Sequence, residues 1–277
     1  MSRKSVVVEL QGGLGNQLFG WAAGYALSKK LGCKLTLDKT NLYQRGYQLD
    51  SFQFGSTTKT FEKFKVLPTH LNTFFRWEVF QEDSFEYDLR FTKIEKPLVL
   101  RGYFQSWKYH LNYSEEIYSF VRDLAEVSSQ LRSLRSNYKF DQLVAVHVRR
   151  GDYTKLQDYH GTLNSQYYRD ALLKIEISEQ KVQKYIVFSD DPDEAKRIVP
   201  GAVLYIGPKE LPSPAENLVL MSQCRSLIGA NSSFSLWAGM LMKSKSQYRI
   251  FPTPWFTKSN IRDTDLVPPD FIRIEKS

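Results

Sequence analysis

The strongest constraint on the fold is the repeated alternation of short apolar runs with segments of helical periodicity. Short runs that are apolar throughout are typical of parallel strands covered on both faces. Such runs occupy residues 6–10, 34–37, 98–100, 143–148, 185–188, 203–206, 227–229 and 249–251. Helical patterns occupy residues 17–31, 114–134, 165–179, 192–199, 215–224 and 235–242. The alternation predicts an α/β fold, and it is most regular from residue 143 onward.

The length of the chain predicts two domains. With 277 residues, of which 42% are hydrophobic, the chain can bury two cores of ordinary size. The polar stretch SLRSNYKFD, residues 133–141, is the predicted linker. We therefore expect two Rossmann-like α/β domains, residues 1–137 and residues 138–277, that face a central cleft. A ligand would then lie in that cleft, at the carboxyl ends of the strands.

The formal charge and the cysteines limit the class of protein. A charge of +8 favours an anionic partner, but the basic residues are scattered and form no nucleic-acid-binding arm, so we expect no nucleic-acid partner. Cys33 and Cys224 are too few for a disulfide framework, which favours a reducing compartment. The apolar start of the chain is too short for a signal peptide, and no window reaches the roughly 18 apolar residues of a membrane span. We expect a cytoplasmic protein whose positive charge is compatible with peripheral association at the inner face of a membrane.

The opening segment VVVELQGGLGNQLFGWAAG, residues 6–24, has the pattern of a strand, a glycine loop and a helix. Gly13 and Gly15 match the first two glycines of a dinucleotide-binding loop, but Leu18 replaces the third small residue. Asp38 lies at about the 20-residue spacing of a ribose-binding acid, so an NAD-dependent dehydrogenase is an alternative function. A second alternative is that the glycines only permit a tight turn. In each case we expect Asn16 and Gln17 to be exposed amides at the helix start.

The segment VAVHVRRGDY, residues 144–153, places four polar side chains at the end of a predicted strand. The alternation of a strand puts His147 and Arg149 on one face and Arg150 on the other. An arginine can hold phosphate oxygens through two parallel hydrogen bonds, which makes Arg149 a candidate phosphate ligand. The alternative is a pair of structural salt bridges with nearby acids.

Two further strand ends carry polar groups. Asp190 and Asp191 follow the predicted strand at residues 185–188; one can cap the next helix, and one can accept the two donors of a guanine edge. After the strand at residues 227–229, the hydroxyl-rich helix start at Asn231, Ser232 and Ser233 can form a phosphate cradle, although serine capping alone also explains it. Taken together with Arg149, these features predict a nucleoside-diphosphate site.

The chain resembles the bacterial type of α-1,2-fucosyltransferase. The resemblance rests on GGLGNQLFGWAAG, HVRRGDY, FSDDPDEAKR, and LMSQCRSLIGANSSFSLWAG with FPTPWF, which occur in the family's order over nearly the full length. The HxRRxD segment is shared more widely among fucosyltransferases, whereas GGLGNQLF and ANSSFS are more specific. The resemblance implies a GT-B-like fold, GDP-β-L-fucose as donor, and inverting transfer to the 2-hydroxyl of a terminal galactose without a metal ion or other cofactor.

The resemblance also implies roles for individual residues. Arg149 would bind the β-phosphate, Asp190 or Asp191 would bind guanine, and Asn16 would lie near the reacting centre. The remaining expected donor-binding residues are Gly13, Gly15, His147, Asn231, Ser232, Ser233 and Phe234. Residues 138–277 are expected to bind GDP-fucose, and residues 1–137 are the expected acceptor side.

The general base and the acceptor are less constrained. A carboxylate is expected to remove the proton of the acceptor hydroxyl; Asp152 is our first candidate, Glu9 is the alternative, and Asn16 could orient the hydroxyl. The expected partner is a galactose-terminated glycan, contacted by the aromatic-rich segment from about residue 52 to 113, although these aromatic residues could equally be core. A simple galactoside such as lactose, a blood-group-type chain and a surface polysaccharide all remain open as acceptors.

Overall fold

The computed structural model describes residues 5–42, 46–54, 58–61, 77–151, 161–181, 183–243, 248–258 and 261–276. The chain divides into two compact units. The first is Met1–Asp123 with Thr264–Leu266, and the second is Leu124–Asp263 with Val267–Ser277. Each unit contains a sheet with only parallel pairing among the described strands.

The first unit is built on a five-stranded sheet with the order β3-β2-β1-β5-β4. Its strands are β1 (Ser5–Glu9), β2 (Lys34–Asp38), β3 (Thr58–Phe61), β4 (Val79–Gln81) and β5 (Val99–Arg101). Its helices are α1 (Leu14–Leu31) and α2 (Ser114–Arg122), with 3₁₀ segments at Leu49–Ser51, Leu89–Lys93 and Trp107–Tyr113. Because β1 is central, the loop that follows it lies between the loops that follow β2 and β5.

Helix α1 packs closely on the sheet through two glycines. A Cβ atom added to Gly24 would lie 2.3 Å from Val8 Cγ2, and one added to Gly20 would lie 3.3 Å from Val8 Cγ1. Leu18, the residue at the missing third glycine, is itself fully buried. The small residues that allow the helix to approach the strand therefore lie further along α1 than in a dinucleotide-binding loop.

The second unit has a six-stranded sheet with the order β11-β10-β9-β6-β7-β8. Its strands are β6 (Val144–Val148), β7 (Tyr185–Ser189), β8 (Leu204–Ile206), β9 (Ser226–Ile228), β10 (Arg249–Thr253) and β11 (Ile272–Glu275). Its helices are α3 (Ser129–Asn137), α4 (Ser165–Glu179), α5 (Pro192–Ile198), α6 (Pro214–Ser222) and α7 (Ser233–Leu241), with a 3₁₀ segment at Phe140–Gln142. The strand order is that of a Rossmann fold, with the topological switch between β6 and β9.

The prediction of a single helix over residues 114–134 is wrong, because two helices occupy this region. Helix α2 ends at Arg122, and α3 begins after Ser128, whose Oγ accepts a hydrogen bond from Leu131 N. Ser128 also donates from its backbone N and its Oγ to the Glu216 carboxylate, at 2.6 and 2.7 Å. These bonds fix the start of α3 within the second unit. The assignment of acceptor and donor to the two predicted domains stays a prediction.

Two global features of the described chain bear on its class. The two cysteines form no disulfide with each other: Cys224 is buried and Cys33 is half-buried. None of the helices in the described part of the chain is both long enough and apolar enough to cross a membrane.

Candidate active site

The candidate site of the second unit lies at the carboxyl ends of β9, β6 and β7. These strands are neighbours in the sheet, with β6 between the other two. Arg149 and Arg150 follow β6, Asp190 and Asp191 follow β7, and Asn231 to Ser233 follow β9. In open α/β sheets, ligands bind at this edge and at the topological switch. The topology therefore brings together the cationic, acidic and hydroxyl-rich segments that the sequence suggested.

Arg149 and Asp190 form an ion pair at this edge. Arg149 Nη1 lies 2.9 Å from Asp190 Oδ2, and each side chain is 23% exposed. The Asp190 carboxylate also accepts a hydrogen bond from Arg150 N at 2.9 Å. Gly151 makes the approach possible, because a Cβ atom there would lie 2.4 Å from Asp190 Oδ2. Asp190 thus holds the Arg149 guanidinium in place, and the Arg149 side chain as a whole stays partly exposed.

Arg150 has a separate acidic partner. Its Nη2 lies 3.2 Å from Glu194 Oε1 on α5. The two arginine side chains therefore have different acidic partners, and their separation onto two faces stays a prediction. Both arginines pair with acids, as the alternative of structural salt bridges predicts. The phosphate-binding role of Arg149 therefore stays a prediction.

Asp191 begins helix α5. Its Oδ1 accepts a hydrogen bond from Glu194 N at 3.1 Å, and its backbone N donates to Ser189 Oγ at 3.0 Å. Asp191 is exposed, whereas Asp190 is half-buried. Capping is thus one function of Asp191, and Asp190 is occupied by the two arginines. That either residue binds guanine stays a prediction.

His147 is buried on β6, behind the arginines. Its ring lies 5.6 Å from the Phe234 ring, and its backbone oxygen accepts a hydrogen bond from the Tyr168 hydroxyl at 3.1 Å. Burial, together with the nearby positive charge of Arg149, lowers the pKa of His147 to about 3. The imidazole is therefore neutral near pH 7, and it can contribute a hydrogen bond but no positive charge to a diphosphate.

The start of α7 is held by its own side chains. Ser232 is the N-cap, with its Oγ accepting from Phe234 N at 3.3 Å. Buried Asn231 donates from Nδ2 to Trp255 O at 3.1 Å, which fixes the loop after β9. Ser233 and Phe234 are only half-buried. Asn231 and Ser232 thus shape the helix start, and Ser233 and Phe234 form its accessible part.

In the first unit, the glycine loop positions Asn16 and Gln17 differently from our expectation. Gln17 is fully buried: its Nε2 donates to Gly12 O and Gly46 O at 3.0 and 2.9 Å, and its Oε1 accepts from Gln48 N at 3.0 Å. The prediction that Gln17 is exposed is wrong, because its amide joins two loops. Asn16 is half-buried.

Gly13 and Gly15 frame the start of α1. Gly13 is the N-cap residue and Gly15 is a buried residue of the first turn. The preceding Gly12 has φ +71°, and a Cβ atom there would lie 2.4 Å from Asn16 Nδ2. Gly12 therefore allows the loop backbone to pass close to the Asn16 amide, and the donor-binding role of Gly13 and Gly15 stays a prediction.

The candidate carboxylates of this region have local partners. Both Glu9 oxygens accept hydrogen bonds from the Arg101 guanidinium, at 2.7 and 2.8 Å. Buried Asp38 accepts from Thr40 N and Thr40 Oγ1, at 2.9 and 2.5 Å, and so closes a turn after β2. Asp152 lies outside the described residues.

Sequence reasoning missed two residues at the carboxyl edge of the first sheet. Gln105 Nε2 donates to Asn16 Oδ1 at 2.8 Å. Glu82, directly after β4, accepts hydrogen bonds from Tyr103 N and Phe104 N, at 2.7 and 2.9 Å. Because β4 is a three-residue strand with no long apolar run, no sequence signal placed Glu82 at this edge.

Several aromatic residues of the segment expected to contact the acceptor belong to the core. Phe80, Phe91, Phe104 and Tyr109 are buried and pack against one another. Phe85 and Tyr103 are half-buried and stack at 6.1 Å. An acceptor role is therefore compatible with this last pair and not with the buried four.

Comparison with known proteins gives consistent results. The model of the family described as glycosyl transferase family 11 matches residues 2–264. The α-1,2-colitosyltransferase of Escherichia coli is 30% identical, with 98% of this chain and 99% of that protein covered. The galactoside α-(1,2)-fucosyltransferase 2 of Oryctolagus cuniculus is 26% identical, with 87% and 68% covered. The crystal structure of the fucosyltransferase NodZ from Bradyrhizobium has a TM-score of 0.52 at 13% identity, covering 86% of this chain and 94% of that one. The likeness to NodZ, together with the two parallel sheets, confirms the GT-B-like α/β fold.

Proposed function

We propose that this chain, which belongs to glycosyl transferase family 11 and is therefore a glycosyltransferase, moves L-fucose from GDP-β-L-fucose to the 2-hydroxyl of a terminal galactose, with inversion. The names of its relatives support a 1,2-linkage and a donor of the fucose type. The observation that carries the proposal is the Arg149–Asp190 pair at the switch point of the second unit, beside the start of α7. The comparisons give no support to the dehydrogenase alternative.

Arg149 would stabilise the charge that develops on the departing GDP. Cleavage of the bond between fucose and phosphate leaves negative charge on the diphosphate, and fixed donors stabilise it best because they need not reorganise during the reaction. Asp190 supplies this fixation through its contact with Arg149 and its hydrogen bond to Arg150 N. The α7 N-terminus adds positive dipole charge at the same edge. We propose that these groups act without a metal ion.

The acceptor hydroxyl needs a base and an orienting group. We keep Asp152 as the proposed base, because both Glu9 oxygens are already hydrogen-bonded to Arg101. Asn16 would orient the hydroxyl or the transferred sugar. The half-buried stacked pair of Phe85 and Tyr103 is the proposed aromatic surface for the acceptor.

A second donor is favoured by one comparison. The relative with 30% identity over almost the whole chain is named for transfer of colitose, which is L-fucose without its 3-hydroxyl. A site that hydrogen-bonds this hydroxyl would discriminate strongly against colitose, whereas an apolar site would accept both sugars. GDP-colitose is therefore the alternative donor.

A donor and acceptor screen tests the proposal. Purified protein is incubated with GDP-fucose, GDP-colitose or UDP-galactose, each with lactose, a blood-group precursor chain and methyl β-galactoside. We expect GDP release and a fucosylated galactoside, with a 1,2-linkage shown by NMR. In a thermal-shift assay, GDP at about 100 times its Kd should stabilise the fold by about 2.7 kcal/mol. Stabilisation by NAD but not by GDP, or transfer only from UDP-galactose, would refute the proposal.

We also propose that the reaction takes place in the cytoplasm, with peripheral attachment to the inner face of the membrane through basic side chains. The net charge of +8 supports such attachment, which should weaken as salt screens the charges. Cell fractionation at low and high salt tests this: release from the membrane fraction by salt is expected, and retention after a high-salt wash would contradict it.

A further inference from the structure

Three loops meet at the carboxyl edge of the first sheet. Strand β5 is paired with β1 on one side and with β4 on the other. Consequently the loop after β1 with Gly12 and Asn16, the turn after β5 at residues 102–105, and Glu82 after β4 are neighbours. In this type of sheet the carboxyl edge is where ligands bind. These loops therefore lie where the reacting groups of the first unit are expected.

Glu82 holds the turn after β5. Its Oε2 accepts hydrogen bonds from two successive backbone N–H groups, those of Tyr103 and Phe104. Gly102 leaves the necessary room: its φ is +153°, and a Cβ atom there would lie 2.4 Å from Glu82 Cβ. A carboxylate that receives two N–H bonds from one turn fixes the backbone of that turn.

The turn would be unfavourable without such support. Phe104 has φ +51°, a conformation that is unusual for a bulky residue. Its ring is fully buried against Phe80, Phe91 and Tyr109. Strained backbone of this kind persists only where the surroundings determine it, and it is concentrated at functional sites. Here the ring packing and the Glu82 carboxylate together impose the conformation.

The fixed turn presents Gln105 to Asn16. Gln105 is 8% exposed, and its Nε2 donates to Asn16 Oδ1 at 2.8 Å. On the other side of Asn16, the backbone of Gly12 approaches Asn16 Nδ2 so closely that a Cβ atom would lie 2.4 Å away. Gln105 and Gly12 therefore determine the orientation of the Asn16 side-chain amide.

We propose that Gln105 and Glu82 are positioning residues for transfer: Glu82 fixes the turn after β5, and Gln105 then fixes the orientation of the Asn16 amide at this edge of the sheet. This inference rests on the proposed function, because Asn16 matters only if transfer takes place at this edge. Both residues belong to the first unit, whereas the donor nucleotide is expected in the second. Their substitution should lower kcat and leave GDP binding, in the second unit, unchanged.

The first test removes the amide of Gln105 while keeping its bulk. With GDP-fucose and the best galactoside of the screen, Gln105→Leu should lower kcat at least about 10-fold, since misorientation of a catalytic group is costly. The Kd for GDP, measured by calorimetry, should stay unchanged. Gln53→Leu is the matched control, because Gln53 is exposed on the same unit.

A double-mutant cycle separates positioning from a general structural effect. If Gln105 acts through Asn16, then Gln105→Leu should have almost no further effect on kcat in an Asn16→Ala background. An additive loss in the double variant would overturn the proposal, as would wild-type kcat in Gln105→Leu. If the wild type transfers no sugar at all, the proposed function fails and the inference fails with it.

Glu82 gives a pH-dependent readout. Burial raises the pKa of Glu82 to about 7, against the lowering effect of the Phe104, Tyr103 and Tyr109 hydrogen bonds. The facing titratable groups are Asp88, whose pKa is lowered by its hydrogen bond to Arg90, and Tyr109, whose pKa is raised by burial. Neither titrates between pH 6 and 8.

We therefore expect kcat of the wild type to rise from pH 6 to pH 8. Over this range the Glu82 carboxyl ionises and becomes a stronger acceptor of the hydrogen bonds from Tyr103 N and Phe104 N. Glu82→Gln, which still accepts a hydrogen bond, should keep most of the activity and lose this dependence, whereas Glu82→Ala should lose activity at least about 10-fold. The same rise of kcat with pH in Glu82→Gln, or full activity in Glu82→Ala, would count against the proposal.

Discussion

Substitution of Arg149 tests the donor site most directly. The side chain is 23% exposed and paired with Asp190 at 2.9 Å, so it is both accessible to a ligand and fixed in direction. If it binds the diphosphate in the transition state, Arg149→Ala removes one preorganised donor. Loss of such a donor lowers the rate by about 10²–10³, which corresponds to about 2.7–4.1 kcal/mol of activation free energy. Arg149→Lys should fall towards the same range, because an ammonium group cannot reproduce two parallel hydrogen bonds.

The effect on folding should be much smaller. Partly exposed ion pairs contribute about 0.2–1 kcal/mol to the free energy of unfolding. The Asp190 carboxylate also keeps its hydrogen bond from Arg150 N, so removal of Arg149 does not leave a buried charge without any partner. Rate and stability should therefore separate by at least about 2 kcal/mol.

Two measurements check this separation. Turnover is followed by GDP release under saturating donor and acceptor, and stability is followed by urea denaturation. Arg197→Lys is the control, since Arg197 is exposed and pairs with Glu194 on the surface of α5. Turnover of Arg149→Lys within threefold of the wild type would refute the role of Arg149, as would a loss of turnover that merely parallels a loss of folded protein.

Three further outcomes follow from the contacts described above. In α1, Gly24→Ala should lower the free energy of unfolding by about 1–3 kcal/mol through overlap with Val8. Gly20→Ala should lower it less, because its Cβ would lie 3.3 Å from Val8 Cγ1, where a small shift relieves the contact, and alanine favours the helix. Equal effects of the two substitutions in urea denaturation would contradict this. EDTA should leave transfer unchanged, and a loss that Mg²⁺ or Mn²⁺ restores would show that a metal takes part. Because the pKa of Glu82 is raised to about 7, its contribution to stability is present below about pH 4.5 and is lost as the pH rises through 7. Glu82→Gln should therefore gain stability relative to the wild type from pH 5 to pH 8, and a constant difference would argue against a buried, titrating Glu82.

The strands at the centre of each sheet could be predicted from the sequence. Strands such as β1 and β6 contain buried runs of apolar residues, at residues 6–8 and 144–146, and these runs identify them in the sequence. The strands missed by the sequence reasoning are β3, β4 and β11, which lie at sheet edges. Edge strands are short and carry polar residues, and β3 reads TKTF while β11 reads IRIE. A pattern that searches for continuous apolar runs cannot find them.

The predictable part of the site is its placement at strand ends, and the unpredictable part is which polar groups pair with one another. Asp190 and Asp191 are adjacent and alike in sequence, yet one holds Arg149 and the other caps α5. That division depends on the pairing of β6 with β7, which sets Val148 opposite Ser189 and so brings the two following loops together. Pairing of this kind is long-range information that a local pattern does not contain.

The glycine loop after β1 shows why the nucleotide is expected in the second unit. A phosphate at a helix N-terminus needs backbone N–H groups with room in front of them. At the start of α1 that space is shared with the Gln17 and Asn16 amides, which bind the loops at Gly46 and Gln105. At the start of α7 the corresponding side chains are the small hydroxyls of Ser232 and Ser233, and Arg149 follows β6, the strand next to β9. The first loop thus holds an amide in one orientation, and we expect the diphosphate at the second. Asn16→Asp, which replaces the amide by a charge, should therefore impair transfer while leaving the affinity for GDP unchanged; a loss of GDP affinity would place the diphosphate at the first loop instead.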